Sequence, residues 1–332
     1  LMGGILGLAC AMITIMVMDS NSVLSSKDEE STAIEDDFYA NINNDIIENH
    51  ELKKDKKYWS LLFTETQDNV DDKVKEIVKA IVSKKDKYKD ETAEHKICKL
   101  YESIVNQENS TKKLDTYIES IDNSKNIDEL MNNLARIDKE LSLSIFMKSS
   151  LQNDYKDNTQ TIVMVEPFSF DYGNIYADYY TNPLYSSYVA TYIEFDREIF
   201  KIYGYNDEEA KESVRKISRF YTEIAKNSKS MEELTEVQSF YNIVSKKYLK
   251  DIFSNINIDN FINYNNQYNI SIVDEEQARS LNSYLTMENL DTLKECIKLQ
   301  ILQNYGRYAD IKYYNLMNKL EAKLTGTDIT ED

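Results

Sequence analysis

The chain has 332 residues, a formal net charge of −19, and only 7 Gly and 2 Pro against 25 Tyr. So acidic a balance excludes general nucleic-acid binding, which needs a basic face, and disfavours electrostatic docking on anionic lipid. Few turn formers argue against a β-rich fold, and a hydrophobic fraction of 42% supplies a core, so the composition points to a mainly α, multi-helix domain.

Residues 1–18 carry no charge, and Asp19 is the first charged residue. A helix of that length nearly spans the roughly 30 Å of hydrocarbon in a bilayer. The segment is expected to be a signal peptide or membrane anchor, followed by a Ser- and Asp-rich polar tether over 19–33. The rest of the chain is then extracytoplasmic, either membrane-anchored or secreted. The first residue is Leu, and no basic residue precedes the apolar run, so a natural start is expected upstream.

Beyond the tether, helical spacing dominates. Val70, Val74, Ile77, Val78, Ile81 and Val82 fall on one face of an amphipathic helix, with Asp, Lys and Glu on the other. Asn126 with Glu129 and Ser230 with Glu233 have capping-box spacing, and Asn206 precedes an acidic first turn, Asp207-Glu208-Glu209. Leu290, Leu293, Ile297, Ile301 and Tyr305 form a second stripe, and a last helix over 308–324 is expected to stop at Gly326. Two apolar, partly β-branched runs, 141–147 and 161–168, flank the polar stretch 152–159 and predict a small β-hairpin inserted in the helical domain. The segment 170–205 is rich in Tyr, including Tyr172, Tyr176, Tyr179, Tyr180, Tyr185 and Tyr188. Such rings suit inter-helix packing with polar tips, or an aromatic surface for a carbohydrate or peptide.

Metal and nucleophile chemistry is thinly provided. The two His are His50 and His95, and the three Cys are Cys10, Cys98 and Cys296. His50 begins His-Glu-Leu-Lys-Lys, which puts Lys54 where a zinc-binding His-Glu-x-x-His helix needs its second imidazole. His95 also has no His at i+4. No metal ligand and no catalytic residue is therefore expected in this chain. Pairs of acids abound among 58 Asp and Glu, so they give no specific support to a two-carboxylate glycosidase. Cys98 and Cys296 bridge if the fold brings them together, and are otherwise two buried thiols.

The order of several short motifs resembles the amino-terminal helical domain of the neprilysin and endothelin-converting-enzyme family of zinc metallopeptidases. Asp36-Asp37-Phe38-Tyr39-Ala40-Asn41-Ile42-Asn43 is similar to the family's D-D-F-Y-x-Y-V-N-G-x-W, with Asn44 for Gly and Ile46 for Trp. Ile127-Asp128-Glu129-Leu130, the hairpin, Pro167 and Asp178-Tyr179-Tyr180 follow in family order. So do Glu232-Glu233-Leu234 through Tyr241-Asn242, Ile258-Asp259-Asn260-Phe261, and Leu324-Thr325-Gly326-Thr327.

The resemblance implies a peptidase amino-terminal domain over 34–327, with 328–332 a truncated junction to a catalytic half that this chain lacks. Zinc is expected in that missing half. The implied partners are the chain's own catalytic domain and short peptide substrates, with membrane contact only through residues 1–18. In the family the helical half encloses the active-site cavity and restricts substrates to short peptides, and one basic residue reaches the substrate's carboxyl end. Lys57 matches that residue by position, or is one solvated Lys among Lys53, Lys54 and Lys56. The alternative is a stand-alone extracellular helical binding or surface protein without peptidase activity.

Overall fold

A computed structural model describes residues 33–54, 56, 58–106, 111–170, 176–262, 264 and 267–328. The apolar segment 1–18, the tether up to residue 32, Lys57 and Tyr172 lie outside the described residues. Among the described residues, no helix is long and apolar enough to cross a membrane. The chain divides into two compact units after Lys53.

In the first unit the Asp-Asp-Phe-Tyr motif starts a helix, α1 (Phe38–Asn49). Asp37 is its N-cap and accepts the Ala40 N–H at 2.9 Å, satisfying a donor that the first turn leaves open. Phe38 and Tyr39 are exposed.

The second unit begins with a paired set of helices, α2 (Thr66–Val82) and α3 (Ala93–Val105), which pack on each other. Next come α4 (Lys112–Asp122) and α5 (Ile127–Leu141), whose Asn126 cap accepts the Glu129 N–H at 2.9 Å. After the sheet strands described below, α6 (Asp178–Thr181) leads into α7 (Ser186–Tyr203) and α8 (Asp207–Ala225). The α8 start is a full capping box: Asn206 accepts the Glu209 N–H at 3.0 Å, and Glu209 accepts the Asn206 N–H at 2.8 Å. Then follow α9 (Val237–Phe240), α10 (Lys246–Ile252), α11 (Glu275–Tyr284), α12 (Leu290–Tyr305) and α13 (Ile311–Thr325). Gly326 closes α13 at φ +71, a left-handed conformation that suits glycine.

The predicted hairpin is half of a larger sheet, and its first strand lies elsewhere. The strands are β1 (Lys148–Asn153), β2 (Thr161–Glu166), β3 (Asn242–Val244) and β4 (Asn269–Ile272), in the order β1-β2-β4-β3. β1 pairs antiparallel with β2, β2 parallel with β4, and β3 antiparallel with β4. The apolar run 141–147 is not a strand: Ile145, Phe146 and Met147 drop into the core from an irregular segment, and the mostly polar residues after them pair instead. β2 is covered on both faces, which explains its unbroken apolar run. β3 and β4 escape detection because they have three and four residues, too few to establish an alternation.

The core is organised around α12, which packs against α4, α7 and α8. Leu293, Cys296, Ile297 and Ile301 are fully buried there. Its polar residues are buried too and carry specific partners. Lys298 reaches Glu295 at 2.5 Å, Asp122 at 3.0 Å and the Tyr205 hydroxyl at 2.6 Å. Gln300 donates to the Tyr221 hydroxyl and the Ser169 carbonyl, both at 3.2 Å, and Gln303 donates to Asp196 at 2.8 Å. Burial disfavours the Lys298 ammonium, but the Glu295 charge and the hydrogen bonds from Glu295, Tyr205 and Asp122 outweigh it and raise its pKa. The Tyr-rich segment is mainly packing: Tyr179 stacks on Tyr185 at 4.5 Å, with Tyr188 edge-on at 6.1 Å. Cys98 and Cys296 are both buried and form no disulfide; the Cys296 thiol contacts the Tyr221 hydroxyl at 3.4 Å.

Candidate functional site

The first and last described residues of the second unit meet. The Asp328 N–H donates to the Lys54 carbonyl at 3.0 Å, pinning the strand that leaves α13 to the strand that leads toward α2. Two local devices shape this junction. Ser60 accepts the Phe63 N–H at 3.3 Å while its own N–H donates to Thr64 Oγ1 at 3.1 Å, which turns the chain sharply through residues 61–65 into α2. At the other side Gly326 reverses the chain after α13, and the Thr325 and Thr327 hydroxyls meet at 2.8 Å.

Between these two segments lies a groove of about 630 Å³. Tyr58, Phe63 and Gln67 form one wall, and Tyr314, Asn318 and Ala322 the other. Lys56 lines it together with the acids Asp68, Asp71, Glu321 and Asp328, so the charge it carries is mainly negative. Gln67 donates to Asp71 at 2.8 Å, which orders part of that rim.

Apolar side chains are exposed on α2, beyond its groove-lining first turns, and on α3. No described residue of α2 is buried. Val74 is 51% and Ile77 57% exposed, and on α3 Leu100 and Ile104 are each 62% exposed. The two helices hold each other through Cys98, buried against the Ile81 carbonyl, and through the Lys85–Glu102 ion pair at 2.8 Å. The Glu102 hydrogen bond and charge raise the Lys85 pKa, and Lys85 lowers that of Glu102 in return. The Val70-to-Val82 pattern therefore does form a helix, but its stripe does not join the core: Val70, Val74 and Ile77 are exposed, and Val78, Ile81 and Val82 are half-buried. Sequence missed this because an amphipathic helix has the same periodicity whether its apolar face meets its own core or something else.

The two histidines belong to different units. His50 is the exposed residue that ends α1 in the first unit. His95 lies on α3, with its Nε2 3.5 Å from Asp90. A zinc ion needs three or four ligand atoms converging at about 2.0–2.3 Å. Among the described residues no group of three His, Cys, Asp or Glu could hold a metal, so these residues do not fit zinc. Lys57, the one substrate-contact candidate, lies outside the described residues.

Comparison with known proteins places this architecture. Among solved structures, the zinc metalloprotease ZMP1 of Mycobacterium tuberculosis in complex with an inhibitor superposes with a TM-score of 0.77 at 15% identity, over 91% of this chain and 46% of that one. PepO of Lactobacillus rhamnosis superposes with a TM-score of 0.69 at 13% identity, over 91% of this chain and 48% of that one. At these identities the likeness is one of fold. This chain spans about half the length of the structures it matches. No curated protein sequence matches it significantly. The model of one sequence family, Peptidase family M13, matches residues 34–332. The chain belongs to Peptidase family M13, and what it carries is an amino-terminal domain of that family.

Proposed function

We propose that this chain is the non-catalytic amino-terminal half of a neprilysin-like zinc metalloendopeptidase. Its helical body closes one side of the active-site cavity and admits only short peptides. The zinc ion, its His-Glu-x-x-His helix and the water-activating carboxylate belong to a carboxyl half, against which this domain docks. The observation that carries the proposal is the set of apolar side chains left exposed on α2, the helix that also lines the groove where Lys54 and Asp328 meet. A polypeptide continuing past Asp328 would emerge beside that face, at high effective concentration for packing on it. Large exposed apolar patches of this kind mark interaction surfaces.

Two finer assignments go with the proposal. Lys57 pairs with the free carboxylate at the carboxyl end of a bound peptide, as a single ammonium rather than a bidentate guanidinium. Residues 1–18 export the protein, as a cleaved signal or as a retained anchor. Deleting them and fractionating the cells tests this, with retention in the cytoplasm expected.

The main test compares two preparations. The 332-residue chain alone is expected to cleave no peptide, with or without added zinc. The same chain joined to its carboxyl half is expected to cleave short peptides in a chelator-sensitive way. Chelator-sensitive cleavage by the pure chain would overturn the proposal. So would a gene that ends after Asp332 with no His-Glu-x-x-His encoded nearby. In the joined enzyme, Lys57→Met is expected to raise KM about tenfold for peptides with a free carboxyl end and to leave amidated peptides unchanged, because only the charge-assisted contact is lost.

A further inference from the structure

A second cavity, of about 340 Å³, opens on the sheet, away from the groove residues. Its floor is aliphatic: Val163 of β2, Ile270 of β4, Val244 of β3 and Ile262. Val163, Ile262 and Ile270 are at most 8% exposed and belong to the hydrophobic core, with Val244 half-buried against it. Tyr264 and Tyr268 form a wall, and the Tyr264 hydroxyl donates to the Ser149 carbonyl at 3.1 Å, fixing that wall to β1.

The mouth is chemically one-sided. Its polar lining is Ser245, Lys246, Tyr268 and the Asn269 amide, and Lys246 brings the charge. Lys246 lies 2.8 Å from Asp259, but Asp259 is also held by Lys250 at 2.5 Å. Two ammonium groups share one carboxylate, leaving one positive charge uncompensated within the trio. Ser245 accepts the Tyr248 N–H at 3.1 Å, which leaves its own hydroxyl proton to give. The mouth thus offers donors and net positive charge, above a floor that gains only from apolar contact. A cation is repelled, a bare anion leaves the floor wet, and a neutral apolar molecule leaves the charge unanswered. A ligand with an aliphatic body and a carboxylate answers both. The volume falls at the low end of the roughly 300–1,000 Å³ of ligand pockets, enough for one or two residues of a peptide.

We propose that this cavity is a binding site for the carboxyl end of a peptide whose last residue is aliphatic. The site is formed by this domain alone and does not depend on the peptidase assignment. The test uses the 332-residue chain and two probes, acetyl-Leu-Leu as the free acid and as the amide, titrated by calorimetry. The acid is expected to bind saturably and at least tenfold more tightly than the amide. Lys246→Met is expected to bring the acid down to the amide's affinity, and Lys246→Arg to retain the preference. Equal affinity for acid and amide, or no saturable binding of either, would overturn the proposal on the unaltered chain. An undiminished acid preference in a folded Lys246→Met variant would overturn the role of the charge. None of these outcomes bears on whether the joined enzyme cleaves peptides.

Discussion

Two helical stripes that look alike in sequence end in opposite environments. Leu293, Ile297 and Ile301 of α12 are completely buried, whereas Val74 and Ile77 of α2 are more than half exposed. The neighbours separate them. Around the α12 stripe, Lys298, Gln300 and Gln303 are buried as well, each with a named partner on another element. Around the α2 stripe the intervening Asp, Lys and Glu are solvated. A helix enclosed on all sides must supply buried polar groups with partners; a helix on a face awaiting a partner need not. Periodicity identifies a helix and its apolar side, while what covers that side is decided by tertiary structure.

Substitution in α12 breaks the comparison most sharply. Ile297→Ala removes a 0% exposed side chain and leaves a cavity, at an expected cost of about 3–4 kcal/mol. Urea denaturation of the domain measures it; a loss under about 1 kcal/mol would mean that α12 is not the organising helix. Lys298→Met tests the polar side of the same helix. It strands Glu295 and Asp122 without their common cation, and a loss of about 3 kcal/mol is expected. A neutral or stabilising result would show that the apolar gain exceeds the value of the ion pair at this site.

The next effect is smaller and depends on pH. The Asp138 carboxylate, near the end of α5, is shut off from water, and burial raises its pKa from the ordinary 3.8 to about 7, offset in part by the Ile145 N–H. The folded state therefore keeps this proton to about pH 7 while the unfolded chain loses it near pH 4. Between those values the folded state binds more protons, so this group's contribution to stability is greatest below pH 4 and falls as pH rises to 7. Asp138→Asn, which keeps an acceptor for Ile145 and removes the charge, is expected to flatten that slope and to stabilise the domain by about 1–2 kcal/mol at pH 8. Melting curves at pH 5 and pH 8 check it; an unchanged slope would show that Asp138 is ionised in the folded state.

Much of the fold was legible because the signals are local. Asn126, Asn206 and Gly326 act within a few residues, and each does in the structure what its position predicts. The sheet was only half legible. β1 is mostly polar and β4 short, and their existence depends on pairing with β2, β4 from a hundred residues away in sequence. The groove was the least legible part. It closes through a backbone hydrogen bond between Lys54 and Asp328, and such a bond leaves no mark on residue type. The second cavity was hidden for a related reason: its aliphatic floor reads as ordinary core, and Lys246 reads as one more surface lysine.

The smallest expected effect sharpens the contrast with α12. Ile77→Ser exchanges a side chain that is 57% exposed in this chain. Exposed substitutions away from special features usually change stability by no more than about 0.5 kcal/mol, so the melting temperature of the isolated chain is expected to stay within about 2 °C. Removing apolar surface from α2 should at the same time reduce self-association, measured by sedimentation at increasing concentration. Joined to the carboxyl half, the same substitution should cost more than it does alone, because the side chain would then be buried in the docked face. Equal effects in both settings would mean that α2 stays solvated in the assembled enzyme, and the docking face would have to be sought elsewhere. A loss above about 2 kcal/mol in the isolated chain would mean instead that Ile77 already has a packing partner within this domain, and the distinction between the two stripes would fail.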